Sequence, residues 1–241
     1  MSFGIKITHP ETGNVVIDEN YMNSALVYSG YIKDLPLVNS SYYGIPNAKA
    51  YVLPNLKQYT APFVAVELRT DLWCATGTVG SKNTLEPIGY IFVYGNLPQD
   101  AKYYIFASNL TANVVGSYGL RVNNIKGELC YDSRMKYLKV FGSITGNGLS
   151  PSNSINTAIS SPNINPSSKY ALVLPISVRG WSVTTVGGIA YGAATMCFYK
   201  IGSNLVQATR PQAAANPNAT GFEANIFSTA NIGFVIDVTN Y

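Results

Sequence analysis

Gly119-Leu120-Arg121-Val122, followed by Gly127-Glu128-Leu129-Cys130-Tyr131-Asp132-Ser133, is the stretch whose reading decides the fold. A short alternating strand, a turn closed by glycine, a second strand and an acidic turn residue make a β-hairpin. The chain opens on the same arrangement. Gly4-Ile5-Lys6-Ile7 leads to Gly13, Asn14-Val15-Val16-Ile17 follows, and Asp18 stands five positions after Gly13 as Asp132 stands five after Gly127.

The match runs outward from the two hairpins in unbroken order. Gly30 and Gly142 each precede a long connection to an apolar strand, over residues 63–68 and 171–178, and these strands end at Arg69 and Arg179. Trp73 and Trp181 come next, each followed by Thr-Val-Gly, at Thr78 to Gly80 and Thr185 to Gly187. Aromatic-rich strands over 88–94 and 194–201 lead to Gly95 and Gly202, and the last strands begin at Ile105-Phe106 and Ile226-Phe227. This order predicts a tandem duplication, with one copy over residues 1–116 and a second over 117–241. The second copy is longer near its end, where Thr209 to Gly221 is rich in Pro, Ala and Asn and reads as a surface loop.

Period-two alternation sets the fold class. Val64, Val66 and Leu68 share one strand face, as do Ile88, Tyr90, Phe92 and Tyr94, and as do Leu172, Leu174, Ile176 and Val178. No stretch keeps a helical period over three turns. The expectation is an all-β protein of two homologous, antiparallel β-sandwich domains in tandem. Each copy also has a long connection. Residues 143–168 are a Ser- and Asn-rich run, whereas 35–61 hold Tyr42, Tyr43, Tyr51 and Tyr59, which are the candidate residues for a protein or glycan contact.

Composition narrows the function classes. Charged residues are 12% of the chain, about half the usual globular share of roughly 25%, so a dense basic stripe for nucleic acid is missing despite the net charge of +4. No window approaches the roughly 20 apolar residues of a membrane-spanning helix, and the opening residues do not read as a signal peptide. His9 is the single histidine and sits beside Pro10 in the turn of the first hairpin, a poor place to orient a catalytic imidazole. Cys74, Cys130 and Cys197 are far apart and read as small buried hydrophobes. No phosphate-binding loop, dinucleotide fingerprint or zinc-protease motif occurs. The reading is non-enzymatic, with no cofactor or metal. Arg69 with Trp73, and Arg179 with Trp181, admit two readings: a ligand platform of aromatic face and cation, or a tryptophan with an arginine stem packed on it.

The hairpin residues also carry a resemblance. Gly119-Leu120-Arg121-Val122, Gly127 and Tyr131-Asp132-Ser133 resemble a motif of virion proteins of tailed bacteriophages. Gly4-Ile5-Lys6-Ile7, Gly13 and Ile17-Asp18-Glu19 depart from it by lacking the aromatic and the serine. The resemblance implies a small non-enzymatic component of the tail or neck region, present in multiple copies; the expectation is a tail, tail-tip or fibre-attachment protein made in the host cytoplasm, assembling as a homo-oligomer and contacting other virion proteins. A carbohydrate-binding module facing host surface glycan, a capsid decoration protein, and a hydrolase of host polysaccharide, which needs an acidic pair, are the alternatives. Eighteen tyrosines suit either protein contacts or stacking on sugars.

Overall fold

The computed structural model describes residues 6–8, 15–18, 24–39, 47–54, 56–59, 61–80, 87–108, 117–147, 157–158, 162–165, 167–174, 179–186, 189–202, 204–209, 216–217 and 230–241. The fold is all-β, with two large antiparallel sheets. Both hairpins form where the sequence places them. β1 (Lys6–Thr8) pairs with β2 (Val15–Asp18), and β10 (Arg121–Asn123) pairs with β11 (Leu129–Asp132). Their registers coincide: Lys6 faces Asp18 and Ile7 faces Ile17, as Arg121 faces Asp132 and Val122 faces Tyr131. Each ladder then slips by one residue at the same step, so Thr8 faces Val15 and Asn123 faces Leu129. A bulge of this kind tightens the local twist and re-aims the strand.

The six-stranded sheet draws on both sides of residue 116. It contains β3 (Ser24–Tyr31), β6 (Phe63–Leu68) and β9 (Lys102–Ser108), together with β12 (Val140–Asn147), β14 (Tyr170–Val173) and β20 (Ala230–Asp237). Its order, β12-β20-β14-β6-β9-β3, reads the same from either edge when strands are matched by their place in each half. At the centre β6 meets β14, with Leu68 facing Tyr170 and Val66 facing Leu172. Both outer pairs carry a bulge, between Leu26 and Tyr28 against β9 and between Val140 and Gly142 against β20.

The sheets therefore do not stop at the boundary expected between two sandwiches. The physical reason lies in β6 and β14 themselves. Ala65, Val66, Ala171 and Leu172 are buried, so both faces of each strand are covered, and leaving either as an open apolar edge would invite aggregation. Pairing the two strands with each other removes both edges.

The seven-stranded sheet repeats this construction. It comprises β4 (Leu37–Asn39), β5 (Ala48–Val52), β7 (Trp73–Gly80), β8 (Pro87–Tyr94), β13 (Thr157–Ala158), β17 (Phe198–Ile201) and β18 (Val206–Thr209), in the order β13-β18-β17-β7-β8-β5-β4. The halves join where Tyr199 faces Cys74, and the Cys74 thiol lies 3.6 Å from the Tyr199 carbonyl. A smaller sheet holds β15 (Arg179–Val186), β16 (Ile189–Met196) and β19 (Asn216–Pro217). Here the structure differs from the sequence reading. The strand expected over 194–201 breaks at Cys197, the connection over 35–61 contains β4 and β5, and Asn216–Pro217 of the expected loop pairs with β16. Ile226-Phe227, expected to begin the last strand, lie outside the described residues.

Three apolar clusters hold the sheets. One combines Val27, Tyr103 and Ile105 with Tyr51, Cys74, Ile91 and Val93, and so fills the space between the sheets in the first half. A second combines Ile144, Leu172 and Val235 with Phe92, Phe198 and Val206. The third lies on the opposite face of the six-stranded sheet, where Tyr104, Phe106, Ala171 and Ile236 are covered by Leu138 and Tyr241. Ile105 and Phe106 belong to different clusters because successive strand residues point to opposite faces. The segment after the second hairpin ties this sheet at one end: Leu26 donates to the Lys136 carbonyl, Leu138 to the Ser24 carbonyl, and Asp237 to the Lys139 carbonyl. One connecting segment thus bonds to both β3 and β20.

Candidate functional site

The second hairpin explains its own motif. Gly127 takes a positive φ of 80°, which glycine adopts without strain, and donates to the Asn124 carbonyl at 2.9 Å. The Asn124 side-chain oxygen accepts from the backbone of Lys126 and Glu128, both at 2.9 Å, which closes the turn. The Asp132 carboxylate is buried and accepts from Arg134 Nε at 2.8 Å and Nη2 at 2.5 Å, with Arg121 Nε 3.6 Å away. These cations, Arg134 first, hold its pKa down at about 2. The Ser133 hydroxyl accepts from Leu120 N–H at 2.9 Å, and the Tyr131 ring stacks on Tyr137 at 4.9 Å. A Cβ at Gly119 would come within 2.5 Å of Arg134 Cγ, so glycine is needed for this approach. Every residue of the motif is thus engaged in holding the hairpin.

Arg69 sits among carboxylates. Its guanidinium grips Asp71 at 2.8 and 3.1 Å and Asp100 at 3.0 Å, while the ring of Trp73 is met by Lys200 Nζ at 4.5 Å from its centre. The Arg69 guanidinium is taken up by carboxylates, and the cation over the Trp73 ring is Lys200. The Arg69 carbonyl accepts from Ile201 N–H at 3.0 Å, so this strand end helps to join the two halves. The side chains of Arg179 and Trp181, and the whole of His9, lie outside the described residues. Cys74, Cys130 and Cys197 are buried free thiols, as expected, and burial raises the Cys74 pKa to about 12.

A groove rich in tyrosine surrounds the 3-10 turn Ile32–Asp34 between β3 and β4. Ile32 is fully buried and donates to the Ala101 carbonyl at 2.9 Å, which pins the turn and leaves Tyr31, Lys33 and Asp34 exposed. One hollow of about 360 Å³ is lined by Tyr28, Tyr31, Tyr103, Asp34, Pro36 and Pro54. An adjoining hollow of about 560 Å³ is lined by Lys33, Lys49, Tyr51, Asn96 and Gln99, and Leu35 belongs to both. Tyr28 and Tyr103 lie with ring centres 5.9 Å apart. Burial, then the charge of Tyr28 and a hydrogen bond with its hydroxyl, then Asp34 and Tyr59, push the Tyr103 hydroxyl above its ordinary pKa. Lys33 and Lys102 place their ammonium groups 5.6 and 5.8 Å from the centre of the Tyr31 ring.

Of the four tyrosines singled out by sequence, Tyr51 lines the larger hollow with its ring mostly in the core, and Tyr59 packs on the cluster that contains Tyr103. Tyr42 and Tyr43 lie outside the described residues. Sequence reasoning missed Tyr28, Tyr31 and Tyr103. The available signal was the run Tyr28-Ser29-Gly30-Tyr31 leading directly into Lys33-Asp34, a cluster of aromatic and charged residues at a strand exit. Among the described residues, no three His, Cys, Asp or Glu side chains group as a metal site, and no helix is long and apolar enough to cross a membrane. Comparisons with protein-family models, with curated proteins and with solved structures found no match.

Proposed function

We propose that the chain is a non-enzymatic structural component of a tailed bacteriophage virion, a tail, tail-tip or fibre-attachment protein present in multiple copies, and that it arose by duplication of one β-rich unit. The carrying observation is the hairpin. Its Gly119, Gly127, Tyr131, Asp132 and Ser133 all serve to hold its shape, and the same register and bulge recur in β1–β2 despite Ile17 and Glu19 replacing the aromatic and the serine. Support for the duplication comes from the six-stranded order and from the paired bulges on β3 and β12. Strands that match by register then differ in part from those matched by sequence: Gly142 corresponds to Tyr28 rather than Gly30, because each is the residue just past its bulge.

A duplicated chain offers two related surfaces to its neighbours, which suits a ring or a bridge between parts of different symmetry. Reconstruction of intact particles tests the proposal. The expected result is multiple copies in the tail region, contacting other virion proteins through pseudo-equivalent surfaces of the two halves. Absence from purified particles would overturn it, and location on the head would make it a decoration protein instead. A second reading, host glycan recognition, is favoured by the tyrosine groove.

A further inference from the structure

We propose that the groove around Ile32–Asp34 is a binding site for an acidic polysaccharide. The inference goes beyond the structural role and does not depend on it, since it concerns the purified chain and one surface. Three features carry it. Tyr28 and Tyr31 are 46% and 40% exposed, and with Pro36 and Pro54 they offer flat apolar faces of the kind on which sugar rings rest. Asn96, Gln99 and the paired Tyr28 and Tyr103 hydroxyls supply the donors and acceptors that hydroxyl groups need. Two hollows that share Leu35 in their linings suit successive residues of a polymer better than one compact ligand.

Charge selects the class of sugar. Lys33, Lys49 and Lys102 border the groove, whereas Asp34 is the carboxylate among its described lining residues. Asp100, beside Gln99, is already held by Arg69 at 3.0 Å. Among the described residues these three lysines make no ion pair, so a carboxylate on a sugar ring seated beside Tyr31 meets ammonium groups, two of them standing over that tyrosine ring, that no carboxylate among the described residues already neutralises. An exposed ammonium is a long, adaptable point charge and tolerates the varied spacing of a flexible polymer.

The test is binding of the full chain to polygalacturonate, with neutral dextran and a proline-rich peptide as comparison probes, by calorimetry at two salt concentrations. The variants are Tyr28→Ala with Tyr31→Ala, Lys33→Ala with Lys49→Ala, and the remote control Lys139→Ala with Lys169→Ala, each checked for native circular dichroism. Saturable binding to polygalacturonate, weakened at least about tenfold by each groove pair, weaker at high salt and untouched by the control, supports the site. Failure to bind polygalacturonate, equal binding by all variants, loss with lysine substitution alone, or preference for dextran or for the peptide overturns it. None of these results bears on whether the chain belongs to a virion.

Discussion

The two halves of the six-stranded sheet solve one position in opposite ways. Two residues past its bulge, the first half pairs Gly30 with Tyr103; two residues past the matching bulge, the second half pairs Ile144 with Gly233. The large side chain has moved from one strand to its neighbour. Around Gly30 the result is open, with Tyr28 exposed and the tyrosine groove above. Around Gly233 it is closed, because Ile144 is fully buried and packs with Leu174. A shared backbone frame therefore carries an open, tyrosine-lined groove in one half and sealed core in the other, and the difference rests on where one side chain is attached.

The largest effect expected is from cutting the chain between residues 116 and 117. Each half alone would expose β6 or β14 as an apolar edge, so neither half is expected to fold; aggregation or a non-cooperative melt in each, followed by recovery on co-refolding, is what denaturation curves should read. Next comes Ile144→Ala. Loss of a fully buried branched side chain should cost about 2–5 kcal/mol, measured by denaturant titration. Tyr28→Ala, in the open half, should cost far less because Tyr28 is 46% exposed.

Alanine at the two glycines sharpens the contrast. A Cβ at Gly233 would lie 2.9 Å from both Ile144 and Leu174 inside the core, and overpacking of this kind costs about 1–3 kcal/mol. At Gly30 the nearest atoms belong to Tyr103 and Tyr28, at 3.1 and 3.2 Å, and the exposed Tyr28 can yield, so Gly30→Ala should be the milder change. Equal losses at both sites would remove the open-versus-closed distinction.

The last effect is a matter of pH. The Asp132 pKa is depressed to about 2 in the folded chain, against an unfolded value of about 3.9. Its contribution is therefore complete above roughly pH 4 and lost as pH falls toward about 2. Asp132→Asn should flatten the acid limb of a stability-versus-pH curve over that window, and an unchanged limb would mean that the hairpin's ion pairs contribute nothing there.

Strand existence was legible in the sequence where alternation is strong, as in Ile88, Tyr90, Phe92 and Tyr94, and hairpin geometry was legible because glycine and aspartate mark turns chemically. β5 was not. Ala48, Ala50 and Tyr51 are buried, but small residues beside Lys49 give no clear period, and the strand exists because β8 supplies its ladder. Joining of the halves was also illegible, since alternation shows which face of β6 is buried and not which strand lies beside it. Arg69 matched Arg179 by order, yet its role follows from Asp71 and Asp100, and Asp100 lies far along the chain. Tyr103 is core, and only the glycine opposite it and the exposed Tyr28 turn its hydroxyl end into groove lining.

The central claim is that the halves meet strand to strand at the middle of one sheet, and nuclear Overhauser contacts across β6 and β14 in the intact chain test it most directly. Backbone contacts between Leu68 and Tyr170 and between Val66 and Leu172 are predicted, together with slow amide exchange along both strands. Absence of those contacts, with fast exchange along the facing edges of β6 and β14, would contradict it and return the molecule to two separate sandwiches.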